Sequence, residues 1–230
     1  FKELPQYAAN DFFITGESYA GHYVPAISSH IFNENKNATS KINLKGIGIG
    51  NGLVDPEEQY KWYAQMAKDG GADEGGTLGK QTLSNFSIGV MKAAAGPCTT
   101  LIHKCNNGSK ASCSAAFLAC NYGETVPYQL SGMNPYDMRI KCQHGNLCYD
   151  FTKETNYLND ATVQSAIGVS KKWNSCNMAV NFLYHQDWMH NFHTLIPPMM
   201  AGGIRVLVYA GDVDFICNFL GNKNWVRKME

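Results

Sequence analysis

Residues 11–25, DFFITGESYAGHYVP, contain the turn around which the rest of the chain is organised. The apolar run 12–14 predicts a buried strand, Gly16 ends it, and residues 18 to about 30 predict a helix. Ser18 therefore falls on a tight strand-to-helix turn, which lifts its hydroxyl clear of the sheet. The backbone N–H of Tyr19 is then placed to stabilise an oxyanion. The sequence thus predicts a nucleophilic serine at this turn.

Composition and charge exclude several classes of protein. The chain has 230 residues, of which 44% are hydrophobic, with 19 basic and 19 acidic side chains. A globular chain of balanced charge gives no electrostatic reason to bind nucleic acid or an anionic membrane surface. No apolar run approaches the roughly 18 residues of a membrane span. We therefore expect neither a nucleic-acid partner nor a membrane.

Cysteines and glycosylation sequons indicate an oxidising compartment. The chain has eight cysteines, six of them between positions 98 and 148, and none has the short spacing of a structural zinc site. Sequons begin at Asn37, Asn85 and Asn107. We expect disulfides, no bound metal, and a protein of the secretory pathway, resident in a vacuole or lysosome or outside the cell.

Two later segments predict further strands. Residues 42–49 alternate in hydrophobicity, and their glycines suit a strand with close neighbours, not a dinucleotide-binding loop. Residues 204–210 form the clearest strand, and because it is apolar on both faces it predicts the middle of a mostly parallel sheet. The sequence shows no signal peptide at its start. We therefore expect the chain to be either a mature protein or a fragment.

The segment between these strands has a different composition, rich in glycine, asparagine and cysteine. We interpret residues 62–195 as an inserted domain held by disulfides, without a sheet. Residues 159–169 and 178–193 predict helices, whereas residues 64–76 and 105–113 resemble turns. The whole pattern predicts an α/β fold in three parts. These are residues 1–61, which carry the strand-to-helix turn at Ser18 (the nucleophile elbow), the insertion 62–195, and residues 196–230.

The octapeptide ITGESYAG, residues 14–21, resembles the active-site signature of the serine carboxypeptidases. The general elbow pattern Gly-x-Ser-x-Gly is met only with the second glycine one place late, at Gly21. Residues 49–56, 145–149 and 220–225 are similar to the carboxypeptidase Y type within that family. The resemblance implies an α/β-hydrolase fold, whose partial central sheet is interrupted by a cap domain.

The segment 211–218, GDVDFICN, supplies the acid of a Ser-acid-His triad. Asp212 follows the strand directly and is placed to brace the loop, whereas Asp214 matches the catalytic aspartate of the family. A calcium loop is excluded because Ile216 stands where an oxygen ligand is needed. The catalytic residues implied are Ser18 and Asp214, with Tyr19 as an oxyanion donor.

All seven histidines precede Asp214, whereas the family's catalytic histidine lies in a later Gly-Gly-His-type loop. His190 and His193 are the weaker alternatives, since a pair three residues apart on a predicted cap helix is usually surface or packing. We therefore expect an internal segment of a longer enzyme, which is inactive on its own.

The resemblance also implies the substrate site. Glu17, next to the nucleophile, takes part in recognising the free C-terminal carboxylate, and two neighbouring carboxyl groups that share a proton favour acid pH. Its plain structural alternative is an acid at a helix N-terminus. The implied hydrophobic pocket consists of Tyr19, Leu53, Tyr60, Tyr63, Trp188, Ile216 and Cys217.

The disulfide pairing implied by the resemblance is Cys98–Cys120, Cys105–Cys113 and Cys142–Cys148. In that pattern Cys217 is a free thiol and Cys176 pairs upstream of Phe1, although spacing alone leaves a Cys176–Cys217 bond open.

The activity implied is that of a serine-type carboxypeptidase, which releases C-terminal amino acids from peptides or proteins through an acyl-enzyme, without a cofactor. Two alternatives remain: an acyltransferase with the same triad, and a catalytically dead binding or protective protein. Whether the protein is a monomer or a homodimer is open.

Overall fold

A three-stranded parallel sheet lies under the predicted elbow. The computed structural model describes residues 1, 3–145 and 147–229. Strands β1 (Phe12–Glu17), β2 (Leu44–Gly50) and β5 (Arg205–Tyr209) lie in the order β1-β2-β5. Because the three strands are parallel, their carboxyl ends meet at one edge of the sheet.

The predicted strands are all present, but the prediction that 204–210 is a central strand is wrong for the described sheet. There β2 is central and β5 pairs with β2 alone, so alternate β5 side chains are exposed, with Leu207 at 62% and Tyr209 at 53%. The glycines of β2 do lie against close neighbours: a Cβ on Gly50 would fall 2.3 Å from the Tyr209 ring. Within the described residues β5 therefore lies at an edge of the sheet.

Helix α1 (Ala20–Glu34) follows the elbow, slightly later than predicted, and a 3₁₀ turn, Pro5–Tyr7, precedes β1. One face of the sheet and α1 share a core with the last two helices, α10 (Ile196–Ala201) and α11 (Phe219–Arg227). Its buried members are Val24, Ile47, Ile49, Val54, Ile196, Met199 and Trp225.

The chain between β2 and β5 is mostly helical. Its elements are α2 (Pro56–Gln59), α3 (Tyr63–Asp69), α4 (Asn85–Asn106), α5 (Lys110–Cys120), α6 (Val126–Gln129), β3 (Met133–Asn134), β4 (Asp137–Lys141), α7 (Thr152–Leu158), α8 (Ala161–Ala166) and α9 (Met178–Leu183). Single turns occur at Tyr60–Trp62, Ala72–Glu74 and His193–Leu195, and the π-helical turn Asn121–Thr125 joins α5 to α6.

Five expectations for this segment are corrected. The segment contains a small antiparallel sheet, β3–β4. Residues 64–76 and 105–113 are largely helical, since α3, α4 and α5 enter them. The predicted helices 159–169 and 178–193 are shorter, as α8 and α9.

The longest helix of the described chain, α4, was missed because its core positions are partly cysteines. Its buried residues Ile88, Met91, Cys98, Ile102 and Cys105 recur at helical spacing. Counting the cysteines as apolar, as their burial warrants, completes that period.

Three disulfides link Cys98 to Cys120, Cys105 to Cys113 and Cys142 to Cys148, the same pairs that the resemblance implies. The first two tie α4 to α5. Cys176 is exposed and Cys217 is buried, and neither forms a disulfide within the described residues, so the Cys176–Cys217 alternative is not formed. Among the described residues, no helix combines the length and the apolar character needed to cross a bilayer.

The larger hydrophobic core joins the insertion to the loop after β5. Buried side chains of α3, α4 and α5 pack with Phe215, Cys217 and Leu220. The loop that carries Asp214 is therefore enclosed by the insertion. The division of the chain into the parts 1–61, 62–195 and 196–230 stays a prediction.

Candidate active site

Ser18 lies at the turn between β1 and α1 with a left-handed φ of 60°. Its backbone N–H donates to the Gly50 carbonyl at 3.1 Å, and its own carbonyl accepts from Leu53 and Gly21 at 3.0 Å each. A left-handed conformation is strained for a residue with a side chain, and such strain persists only where the surroundings impose it. The turn thus presents an exposed serine on a fixed backbone.

Small residues around Ser18 make this turn possible. A Cβ on Gly16 would lie 2.5 Å from the Cβ of Ala20, and one on Gly21 would lie 2.4 Å from the Leu53 carbonyl oxygen. The late second glycine of the motif is therefore required by the close approach of α1 to residue 53. The amide of Tyr19 lies at the N-terminus of α1, where backbone N–H groups lack partners within the helix.

Asp214 is 8% exposed, in the loop after β5. Its Oδ2 accepts from Asn51 Nδ2 at 2.8 Å, and its Oδ1 accepts from the Cys217 N–H at 3.2 Å. Burial raises the pKa of Asp214 to about 6, although these hydrogen bonds oppose the rise; the charge of Glu17 adds to it. The carboxyl group is therefore buried but supplied with donors that favour its ionised form.

Asp212, the competing aspartate, points away from this arrangement and accepts from the backbone N–H of Thr77 at 2.8 Å and from its hydroxyl. These hydrogen bonds hold its pKa below the ordinary value. Asp212 thus braces the loop against the insertion, as its position directly after the strand suggested.

Cys217 lies near both Ser18 and Asp214. Its backbone N–H donates to Asp214 at 3.2 Å, and its thiol lies near the Ser18 side chain. Burial raises the pKa of this thiol well above its ordinary range, and the nearby carboxylates of Asp214 and Glu17 raise it further. Because the Ser18 N–H donates to Gly50 and the next residue, Asn51, donates to Asp214, Ser18 and Asp214 lie at the same end of the sheet.

The hydrogen bonds that Asp214 accepts within the described residues come from Asn51 and from backbone N–H groups, none from a histidine. Five of the seven histidines have partners elsewhere. These are His22 with the Leu53 carbonyl, His103 with Glu57, His185 with Ser114, His190 beside the Cys105–Cys113 disulfide, and His193 with Asp55.

His190, Cys105 and Cys113 form the one group of potential metal ligands found within residues 1, 3–145 and 147–229. The two sulfurs are bonded to each other, so they offer no thiolates to an ion.

The predicted pocket residues belong to one packed cluster. Tyr60 and Tyr63 are buried and make an edge-to-face pair at 5.0 Å between ring centroids. The Tyr63 hydroxyl donates to the Ile216 carbonyl at 2.6 Å, and Trp188 Nε1 donates to the Tyr60 hydroxyl at 3.1 Å.

Tyr19 packs against the same cluster. Its ring lies 5.2 Å from that of Trp188, and its hydroxyl donates to Asp187 at 2.6 Å. Leu53 and Cys217 are buried in the same cluster. The structure thus brings together all seven residues that the resemblance assigned to the hydrophobic subsite.

Glu17 ends β1 and is exposed beside Ser18. The predicted glycosylation residues Asn37, Asn85 and Asn107 are also exposed, the last two at the ends of α4. A cavity of about 440 Å³ lies between the Cys142–Cys148 loop and α7, with Tyr149 and Cys176 in its lining.

The sequence analysis did not assign three residues that lie around Asp214: Asn51, Tyr128 and Phe215. The Asn51 side chain donates a hydrogen bond to Asp214. The Tyr128 ring stacks on the Phe215 ring at 3.7 Å between centroids. Only the Asn51 position carried a signal, because the turn 50–52 ends a strand at the edge where the nucleophile lies.

An elbow serine on a parallel sheet, followed by an aspartate after a later strand, defines the α/β-hydrolase class. The serine carboxypeptidase family model matches residues 1–230, and the chain belongs to that family. It is 44% identical over 236 residues to carboxypeptidase Y homolog A of Uncinocarpus reesii, covering the whole chain and 42% of that protein.

Two further comparisons agree on family and fold. Serine carboxypeptidase 3 of Oryza sativa subsp. japonica is 43% identical over 233 residues, covering all of this chain and 44% of that protein. The fold matches Kex1Δp, a prohormone-processing carboxypeptidase of Saccharomyces cerevisiae, with a TM-score of 0.77 at 20% identity, over all of this chain and 50% of that one. The chain spans at most half the length of these three proteins.

Proposed function

We propose that these residues form part of a serine-type carboxypeptidase, in which Ser18 is the nucleophile and Asp214 orients the catalytic histidine. The observation that carries the proposal is the chain of hydrogen bonds from the strained elbow serine to Gly50 and from the adjacent Asn51 to the buried Asp214. Family membership supports it.

In this mechanism Ser18 Oγ attacks the carbonyl carbon of the last peptide bond. Its proton passes to a histidine that the described residues do not place at the site, and the Tyr19 N–H stabilises the oxyanion. The histidine returns the proton to the departing amino acid, and water then hydrolyses the acyl-enzyme. No step requires a metal or cofactor.

The proposed substrates are peptide or protein C-termini. Glu17 is exposed beside the nucleophile, at the position that the resemblance to the family assigns to recognition of the substrate carboxylate. The aromatic cluster around Tyr60, Tyr63 and Trp188 supports an apolar side chain in the residue that precedes the scissile bond.

We further propose residence in the secretory pathway, in a vacuole or lysosome or outside the cell. Three disulfides and three exposed sequon asparagines support this. Glycosidase treatment followed by mass spectrometry of the complete protein, isolated from its native cells, tests it; unmodified asparagines at all three positions would count against that route.

The test of the activity uses the complete protein that contains these residues. We expect a fluorophosphonate probe to label Ser18, and an N-blocked dipeptide to release its C-terminal amino acid. Ser18→Ala is the matched control and should show neither. Transfer of an acyl group from an activated ester to a hydroxyl, without peptide hydrolysis, would support the acyltransferase instead. A folded protein whose Ser18 stays unlabelled would support the binding protein.

A further inference from the structure

Asn51 bridges the ends of two strands and the catalytic loop. It follows the last residue of β2, and its backbone N–H donates to the Tyr209 carbonyl at 2.8 Å. Its side-chain Oδ1 accepts from the Gly211 N–H at 3.2 Å, and its Nδ2 donates to Asp214 Oδ2 at 2.8 Å. One residue therefore fixes both the start of the loop and its buried carboxylate.

The Gly211 contact determines which end of the amide meets Asp214. Because the Gly211 N–H requires an acceptor, the Asn51 oxygen must face it, and the NH₂ group is left for the carboxylate. The backbone of Asn51 has a φ of 39°, a left-handed conformation that asparagine tolerates better than most residues with a side chain. Both backbone and side chain thus suit asparagine at this position.

We propose that Asn51 is a positioning residue, which holds the Asp214 carboxylate ionised and in one orientation for the catalytic histidine. The inference rests on the proposed function. With the Cys217 N–H on Oδ1 and Asn51 on Oδ2, both carboxylate oxygens have a fixed donor. A carboxylate has about four acceptor sites, so one remains beside these donors and the Ile216 N–H for an imidazole N–H.

Other ionisable groups also face Asp214. The carboxylate of Glu17 raises the pKa of Asp214, and Asp214 in turn raises the pKa of the Cys217 thiol and of three phenols. Those phenols belong to Tyr63, Tyr128 and Tyr136. All of these groups are anionic or neutral, so the fixed amide donors are what stabilises the charge of the aspartate.

The experiment compares two variants of the complete protein. Asn51→Gly keeps the left-handed backbone and removes the amide, whereas Asn51→Asp keeps an acceptor for Gly211 and removes the donor. We expect kcat to fall roughly 10- to 100-fold in each with KM little changed, since one hydrogen bond to a charged group is lost. The acid limb of kcat/KM should move up by about one pH unit, and further in Asn51→Asp.

Thr77→Val is the matched control, because it removes a hydroxyl that donates to the other aspartate of the same loop. It should leave the acid limb unchanged. The proposal would be overturned if folded Asn51→Gly kept a kcat within twofold of the unaltered protein and an acid limb at the same pH.

A second measurement does not depend on activity. We expect the carboxyl-carbon NMR titration of Asp214 to move to higher pH in Asn51→Gly. An unchanged titration overturns the positioning role even if no peptidase activity is found, whereas a shifted titration in a protein without activity refutes only the proposed function.

Discussion

Two buried carboxyl groups in this chain have opposite surroundings. Asp214, in the loop after β5, is 8% exposed, and Glu124, in the π-helical turn of the insertion, is 0% exposed. Asp214 accepts hydrogen bonds from Asn51 and Cys217, whereas neither oxygen of Glu124 has a hydrogen-bond partner among the described residues. Burial raises the pKa of Asp214 to about 6 and that of Glu124 to about 9.

The comparison shows that burial of a carboxyl group does not by itself decide whether its ionised form is accessible. Desolvation favours the neutral form of any buried carboxyl group, and only donors aimed at its oxygens keep the ionised form accessible. For Glu124 desolvation is the one cause of the raised pKa. Near neutral pH Glu124 is therefore protonated, beside the buried phenols of Tyr60 and Tyr63, whose pKa values it raises.

The largest expected effect removes the charge of Asp214. We expect Asp214→Asn to lower kcat about 10⁴-fold, the loss typical of a Ser-His-Asp triad whose histidine is misoriented. Glu124→Gln, in the same assay, should stay within about threefold of the unaltered protein. Steady-state kinetics of the complete protein check both, and equal losses in the two variants would abolish the distinction.

The next effect is on stability. The pKa of Glu124 is raised from its ordinary value of 4.5 to about 9 in the folded state, so folding takes up a proton between these pH values. The stability that the neutral form contributes is complete below about pH 4.5 and is lost as the pH rises toward 9, by about 1.4 kcal/mol per unit. Urea unfolding from pH 5 to 8 should show this slope.

Glu124→Gln is the matched variant for that slope, because it keeps the shape and cannot ionise. It should flatten the pH dependence and be more stable than the unaltered protein at pH 8. Asp214 acts in the same direction over the narrower window from 3.8 to about 6. A slope above pH 6 that survives in Glu124→Gln would assign it to other groups.

A smaller gain is expected from an apolar side chain. Glu124→Met replaces an unpaired buried polar group with a flexible side chain of similar length, so we expect a stabilisation of about 1–2 kcal/mol at pH 5. Thermal unfolding of the complete protein measures it. A loss of stability would mean that the carboxylic acid has a partner that the described residues do not reveal.

The smallest effect concerns Asp212. Thr77→Val removes one hydrogen bond at an exposed position and leaves the backbone N–H of residue 77 in place. We expect a loss of stability of at most about 1 kcal/mol and a kcat within about threefold. A larger loss of activity would indicate that the brace at Asp212 controls the position of Asp214.

The sequence predicted some elements of this structure and not others. The elbow and the three strands were predicted because they depend on local backbone geometry: a glycine before the serine, an apolar run, a turn at its end. Pocket residues and disulfide pairs came through the resemblance to the family. The helix α4 was missed because two of its core-facing positions are cysteines.

By itself the sequence determined the strained serine turn and the class of chemistry, because steric limits on φ and the packing of small residues act between near neighbours in the chain. Only the tertiary structure decided which hydrogen-bond donors surround each buried carboxyl group. Asn51 and Asp214 are 163 residues apart in sequence, and among the described residues no hydrogen-bond donor reaches the carboxyl oxygens of Glu124. The surroundings of a buried charge are made of distant parts of the chain, so its pKa and its role arise when the chain folds.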